Sequence, residues 1–230
     1  MKREKMKESL KPECALCGVE VRICRSKSGT APKFCPTKSK DRELKKALKK
    51  YKKSETMRFA KAASLQEAEC YARRDEKPFV MRPTKTRVEE VIEFARKMGY
   101  RKLGVAFCAG LFGEGKTLVQ ILEKHGFEVA SVCCKVGGVP KEFLGLKDNE
   151  KVRVGTDETM CNPITQAEIL NEAGTDFNVL VGLCVGHDAL FLKHAEALTT
   201  VLVAKDRVLG HNPVAALYGA KGYFQRLLNP

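Results

Sequence analysis

No stretch of this 230-residue sequence approaches the roughly 18–20 consecutive apolar residues needed to cross a bilayer. The N-terminus, MKREKMKESLKPEC, is basic and lacks the apolar core of a signal peptide. These two absences predict a cytoplasmic chain with no membrane partner. There is no Trp and little aromatic content, which points to no particular function. Internal repeats and low-complexity tracts are absent as well. Acidic residues are scarce beside basic ones, 28 against 42, and the shortfall is concentrated early: residues 1–58 hold 19 Lys/Arg against 7 Asp/Glu. Such a segment is able to meet nucleic acid, but no nucleic-acid motif accompanies it, and a solvated Lys-rich helical face is the preferred reading.

What the sequence has in plenty is cysteine. Ten in a cytoplasmic chain argue against a disulfide framework and for metal ligation or thiol chemistry. The first group is Cys14, Cys17, Cys24 and Cys35, spaced C-x2-C-x6-C-x10-C, with Gly29, Pro32 and Pro36 breaking regular structure. Two residues between cysteines let the backbone turn under an ion, so both thiolates reach it. Four thiolates suit a tetrahedral zinc or an iron–sulfur cluster; Cys17-Gly18 leans to zinc, and the closing Cys35-Pro36 leans to a cluster.

Helical patterning follows over Asp41–Lys53 and Thr56–Arg73, with Cys70 as a small core residue, and Lys77–Pro83 reads as a linker. Thr86-Arg-Val-Glu89 is a capping box that starts a helix over Arg87–Met98, which Gly99 ends. From there, short β-branched runs alternate with helices. Strands are predicted at Leu103–Phe107, Phe127–Val132, Asn178–Leu183 and Thr199–Ala204. Helices are predicted at about 114–125, 165–172, 187–195 and 212–218, and a long polar loop at 137–159. This alternation predicts an α/β fold: a doubly wound, Rossmann-like parallel sheet of about four strands. The predicted organisation is a four-cysteine metal-binding module at 1–40, a helical segment and linker at 41–85, and an α/β domain at 86–230.

The second cysteine group falls where such a sheet presents its ligands, at strand C-termini and a helix start. Cys108 follows the first strand, Cys133 and Cys134 end the second, Cys161 opens a helix, and Cys184 follows the third strand. Alternation along a strand predicts that only one of Cys133 and Cys134 enters the site. His187 and Asp188 lie beside Cys184, and Lys205 and His211 at the mouth of the last strand, as candidate catalytic or substrate-positioning residues. Thiolates at such positions are able to bind a soft metal or act as nucleophiles.

The segments FCAGL at 107–111, SVCCKVGG at 131–138, MCNP at 160–163, GLCVGHD at 182–188 and KDRVLGHNP at 205–213, with the N-terminal cysteine loop, resemble a domain-of-unknown-function family described as metal-binding with eight cysteines. The resemblance covers nearly the whole chain. It implies that both cysteine groups belong to the family pattern and that metal is bound; it implies no reaction. This chain has two cysteines more than that description, Cys70 being a candidate for one of them.

The resulting expectation is a cysteine-rich metal-binding protein. A 4Fe-4S cluster is preferred, with zinc as the alternative at the N-terminal loop, and a redox or sulfur-handling, small-anion site at the sheet mouth served by a small-molecule or redox partner. Two alternatives accompany it. One is a zinc-stabilised, thiol-dependent enzyme. The other is a nucleotide-binding protein, because Gly110–Thr117 matches G-x4-G-K-[ST] between a strand and a helix, although no strand ends in a clean Walker-B acid.

Overall fold

A computed structural model describes residues 11–230. The chain divides into two compact units, residues 1–64 and 65–230, and the division falls inside a helix. The basic N-terminal segment and the expected four-cysteine module at 1–40 are described from Lys11 onward, and their residues 1–10 lie outside the described residues.

In the first unit, Cys14–Leu16 forms a single 3-10 turn, and the Cys17 amide donates to the Cys14 carbonyl at 3.2 Å. Arg22 and Thr30 form an isolated bridge, closed by a turn that only glycine allows: a Cβ on Gly29 would stand 2.3 Å from the Arg22 carbonyl carbon. Pro36 opens the short helix α1 (Pro36–Ser39), a position where its missing N–H costs nothing. Helix α2 (Asp41–Tyr51) has Asp41 and Glu43 in its first turn and Lys49 and Lys50 in its last, matching the helix dipole at both ends. Helix α3 (Ser54–Glu69) runs across the division.

In the second unit, β1 (Tyr71–Ala72) pairs antiparallel with β2 (Arg82–Pro83), so the proline-rich stretch predicted as a linker carries a short strand. Helix α4 (Arg87–Met98) has both halves of the Thr86–Glu89 capping box and ends on Gly99 at φ 67°. Then come β3 (Lys102–Phe107), α5 (Phe112–Lys124), β4 (Glu128–Cys133), α6 (Pro163–Glu172), β5 (Phe177–Val181), α7 (His187–His194), β6 (Thr199–Val203) and α8 (Val214–Tyr218). The protein is thus mixed α/β, with eight α-helices among the described residues, none long and apolar enough to cross a membrane.

Strands β3 to β6 form one parallel sheet in the order β4-β3-β5-β6. From β3 the chain steps outward to β4, then returns past β3 to lay β5 on its other side. Both central strands are buried: Leu103–Phe107 and Phe177–Val181 have no exposed residue. That is why they read as continuous apolar runs rather than alternating ones. The exception in β5 is Asn178, wholly buried, whose Oδ1 accepts the Thr175 hydroxyl at 2.8 Å. A Cβ on Gly104 of β3 would lie 2.0 Å from that oxygen, so glycine there makes room for the amide. At the edge strand β6, Arg87 of α4 donates to the Val201 carbonyl and the Thr200 hydroxyl, which satisfies part of the exposed ladder.

Candidate functional site

The core runs directly into the site. Cys108 and Cys134 belong to the same buried cluster as Ala106, Val132, Leu180 and Phe191. Strand register brings them together: Phe107 pairs with Cys133 across β3 and β4, and one residue further on Cys108 and Cys134 stand side by side. The Cys134 amide donates to the Phe107 carbonyl at 2.8 Å, and the Ala109 amide donates to the Cys134 sulfur at 3.3 Å. Cys161 is delivered from the other direction. The Asn162 amide donates to the Cys134 carbonyl at 2.8 Å, while the Asn162 side chain caps α6 by accepting from Thr165. Gln166 of α6 fastens the ends of the two strands, its Nε2 donating to the carbonyls of Val132 at 2.7 Å and Phe107 at 3.3 Å.

Cys184 arrives through a forced turn. Gly182 ends β5 at φ 66°, and a Cβ there would lie 2.0 Å from Leu111, so both its backbone and its lack of side chain are required. Arg207 donates to the Cys184 sulfur at 3.0 Å. Cys108, Cys134, Cys161 and Cys184 line one cavity of about 720 Å³, together with His187, Lys135, Lys205 and Arg207. This volume lies within the range of small-molecule sites, roughly 300–1,000 Å³. The cavity opens at the carboxyl ends of the strands, where the strand order reverses and open α/β sheets bind ligands.

Electrostatics within the thiol group is set by contact. The Cys134 thiol is hydrogen-bonded to Cys108, and this contact, opposed by burial and assisted by the Gly110 amide and the Lys205 ammonium, brings the Cys108 thiol down to about 4. Cys161 is brought down to about 6 by the same Cys134 first, against burial, with the charges of Lys135 and His187 assisting. Cys134 moves strongly upward, because of Cys108 first, then Cys161 and burial: ionising it would set a third anion between two others. These contacts favour keeping the proton on Cys134, between Cys108 and Cys161.

Other residues singled out in the sequence fall elsewhere. Cys133 lies off the cavity, partly buried against the core cluster, so Cys134 is the one of the pair that faces it. Asp188 is occupied locally, accepting from the Gly186 and Ala189 amides. His211, at φ 66°, accepts the Asp206 amide through Nδ1 and shapes the 205–212 turn without lining the cavity. Cys70 is buried, its thiol donating to the Gln66 carbonyl at 3.0 Å. Cys14 and Cys24 are exposed and Cys17 and Cys35 half-buried in the first unit. Among the described residues no three His, Cys, Asp or Glu side chains stand in ready metal-holding geometry.

Gly110–Thr117 does not form a phosphate-cradling loop. Ala109–Leu111 is a 3-10 turn and α5 begins at Phe112, so Gly113, Gly115, Lys116 and Thr117 are already helical. The ring of Phe112 packs edge-on against Phe107 at 5.2 Å, Gly115 lies against the Phe107 ring, and Thr117 donates back to the Gly113 carbonyl. These contacts start the helix too early for the loop that a Walker A needs.

Residues 35–202 match the family described as "Protein of unknown function (DUF1847)". The chain belongs to the DUF1847 family. The match takes in all five cysteines of the sheet unit's strand ends and helix start, but begins at Cys35, after Cys14, Cys17 and Cys24. An uncharacterized protein of Methanocaldococcus jannaschii, MJ0455, is 49% identical over 183 residues, covering 80% of this chain and 86% of its own length.

Three features of this DUF1847 site were not singled out in the sequence. Lys135, directly after the cysteine pair, donates to the Thr159 carbonyl and ties down the long loop. That loop lines the cavity, contributing Lys141, Leu144, Leu146, Val152, Arg153 and Thr159 to its wall. Gln166 is polar at a position that apolar periodicity alone leaves unmarked.

Proposed function

We propose that the sheet mouth is a soft-metal site, an iron–sulfur cluster by preference, held by Cys108, Cys134, Cys161 and Cys184. The observation that carries this reading is the run of contacting thiols Cys108–Cys134–Cys161, with Cys184 on the same cavity wall. Sulfur donors select soft metals, and four of them are the usual complement for a cluster or a tetrahedral ion. The donor set fits in number and chemistry; loading requires the thiols to turn from one another toward a common centre. A cluster held by all four thiolates would supply electron transfer, and one held by only three of them would leave an iron open to a small anion. The chain's own residues supply the rest: Lys205 and Arg207 set positive charge beside the thiols, and the 137–159 loop forms part of the cavity wall. We read the sheet as doubly wound in the Rossmann manner, which its strand order supports. Cys14, Cys17, Cys24 and Cys35 form a separate proposed site, for zinc or a second cluster, supported by their spacing and by the turn at Cys14–Cys17.

The second reading, a thiol-dependent enzyme with zinc only in the first unit, is favoured by one observation: a thiolate at Cys108 next to an ammonium is also what a nucleophile needs. Anaerobic purification followed by iron, zinc and acid-labile sulfide analysis separates the two. The metal reading expects iron matched by sulfide, with the sheet-site share lost in Cys108→Ala and Cys184→Ala. Unchanged metal content in both variants would remove the shared site, and zinc alone would leave the thiol reading.

A further inference from the structure

We infer that the cavity at the sheet mouth binds an organic anion, a carboxylate carried on a short apolar chain, with the carboxylate on Lys205 and Arg207 and the chain against Leu144, Leu146 and Val152. The inference rests on the reading of the sheet mouth as the functional site and adds the chemistry of the ligand.

Charge on the cavity wall supports the head. Lys135, Lys141, Arg153, Lys205 and Arg207 face it, against Asp157 and Glu158. Glu158 is spent on Lys141 at 2.9 Å, and Asp157 is exposed. Lys205 and Arg207 have no carboxylate in salt-bridge range among the described residues. Asp206 stands between them in sequence, yet its Oδ1 accepts the Val208 amide at 3.0 Å and the Leu209 amide at 2.9 Å, and its own amide is held by His211. The turn therefore uses up its one carboxylate and presents two cations whose neighbours in the cavity are sulfurs, Cys108 beside Lys205 and Cys184 beside Arg207. An arginine with free donors is suited to a planar carboxylate.

There is also a place for the head. A Cβ built on Gly110 would lie 3.4 Å from Lys205 Nζ and 3.9 Å from Cys108 Sγ. The bare glycine thus leaves space beside the Lys205 amine and the Cys108 thiol. The loop wall of the cavity adds exposed aliphatic side chains: Leu144 is 58% and Val152 83% exposed, although both line the cavity, and Leu146 is half-buried. Lys205 and Arg207 beside the thiols and the aliphatic side chains of the loop set the polarity of the ligand, head toward Cys108 and Cys184 and tail toward Leu144, Leu146 and Val152.

Calorimetric titration of the anaerobically purified full chain, its metal content measured in the same sample, tests this with three probes: octanoate, acetate and 1-octanol. Octanoate is expected to bind about tenfold or more tighter than either of the others, because only it offers both head and tail. Lys205→Gln and Arg207→Gln each weaken octanoate by about tenfold. Gly110→Ala, which fills the gap at a backbone conformation alanine accepts, weakens octanoate and acetate alike, whereas Leu146→Asn weakens octanoate and leaves acetate unchanged. Octanoate binding no tighter than 1-octanol, or indifferent to both cation variants, would overturn the inference. A metal-loaded protein that ignores octanoate sinks this inference alone; a metal-free protein that binds it through Lys205 sinks the cluster and leaves this inference standing.

Discussion

The cysteines of the first unit lie close together in sequence, joined by turns and a few backbone hydrogen bonds, and two of them are exposed. Those of the sheet mouth are separated by up to 76 positions, from Cys108 to Cys184, yet they share a cavity because strand register, the Gln166 side chain and a glycine turn carry them there. In the loop, little besides a bound ion is available to order the side chains, and metal affinity and local folding are then one quantity. At the sheet mouth the burial of Val132, Leu180 and Phe191 has already done the ordering. Proximity in the chain and preorganisation in space are different properties, and here they belong to different cysteines.

The sharpest way to break this contrast is to remove the middle thiol of the sheet site. Cys134 is the first cause of the lowered values at both Cys108 and Cys161. In metal-free protein, Cys134→Ala is expected to raise both midpoints toward the ordinary thiol value near about 8.5, abolishing most thiolate absorbance at neutral pH. Cys134→Ser keeps a donor between them and retains much of it. The same titration with Cys14→Ala leaves the sheet-mouth signal as it was. If Cys134→Ala leaves the ultraviolet thiolate titration unchanged, contact within the trio is not what ionises it.

A smaller effect is expected from Gln166→Leu. The substitution keeps approximate volume but removes both donations to the ends of β3 and β4 and leaves the Val132 carbonyl short of a partner in a buried place. A loss of about 1–3 kcal/mol in urea unfolding is expected. The Cys108 and Cys161 midpoints should move in the same variant, since the strand ends carry Cys108 and Cys134. Full stability with normal thiol titration would show that register alone holds the site.

Much of this was legible in the sequence, for identifiable reasons. Buried parallel strands leave β-branched runs such as LGVAF and NVLV, and the predicted strands fall within a residue or two of those observed. The Thr86–Glu89 box could be read because both partners are local. The cysteines could be placed at the sheet mouth because ligand positions in such sheets follow strand ends. What stayed hidden depends on pairings across distance or on one packed ring. The 137–159 loop has no periodicity, and its fold is set by Lys141 with Glu158, Lys151 with Glu142 and Asp148, and Lys135 with Thr159. The G-x4-G-K-T letters were misleading because α5 already begins at Phe112, whose ring meets Phe107 edge-on, and no motif records that contact.

The loop offers the gentlest test of the contrast, because it covers the ordered site without belonging to the sheet. Glu158 is held down at about 2 by Lys141 first, then by the Arg153 amide. A carboxyl whose folded value lies below its unfolded value of about 4.3 stabilises the folded loop fully above that unfolded value. That contribution fades as pH falls from there through about 2. Amide exchange of residues 141–158 in wild type should therefore be slower than in Glu158→Gln at neutral pH, and the two should converge in acid, with the β3 and β5 amides unaffected in both. Exchange that differs equally at neutral and acidic pH would mean that Glu158 holds the loop by shape rather than by charge. Acceleration spreading into β3 would mean that loop and sheet open as one unit, and the separation between an ordered site and its cover would fail.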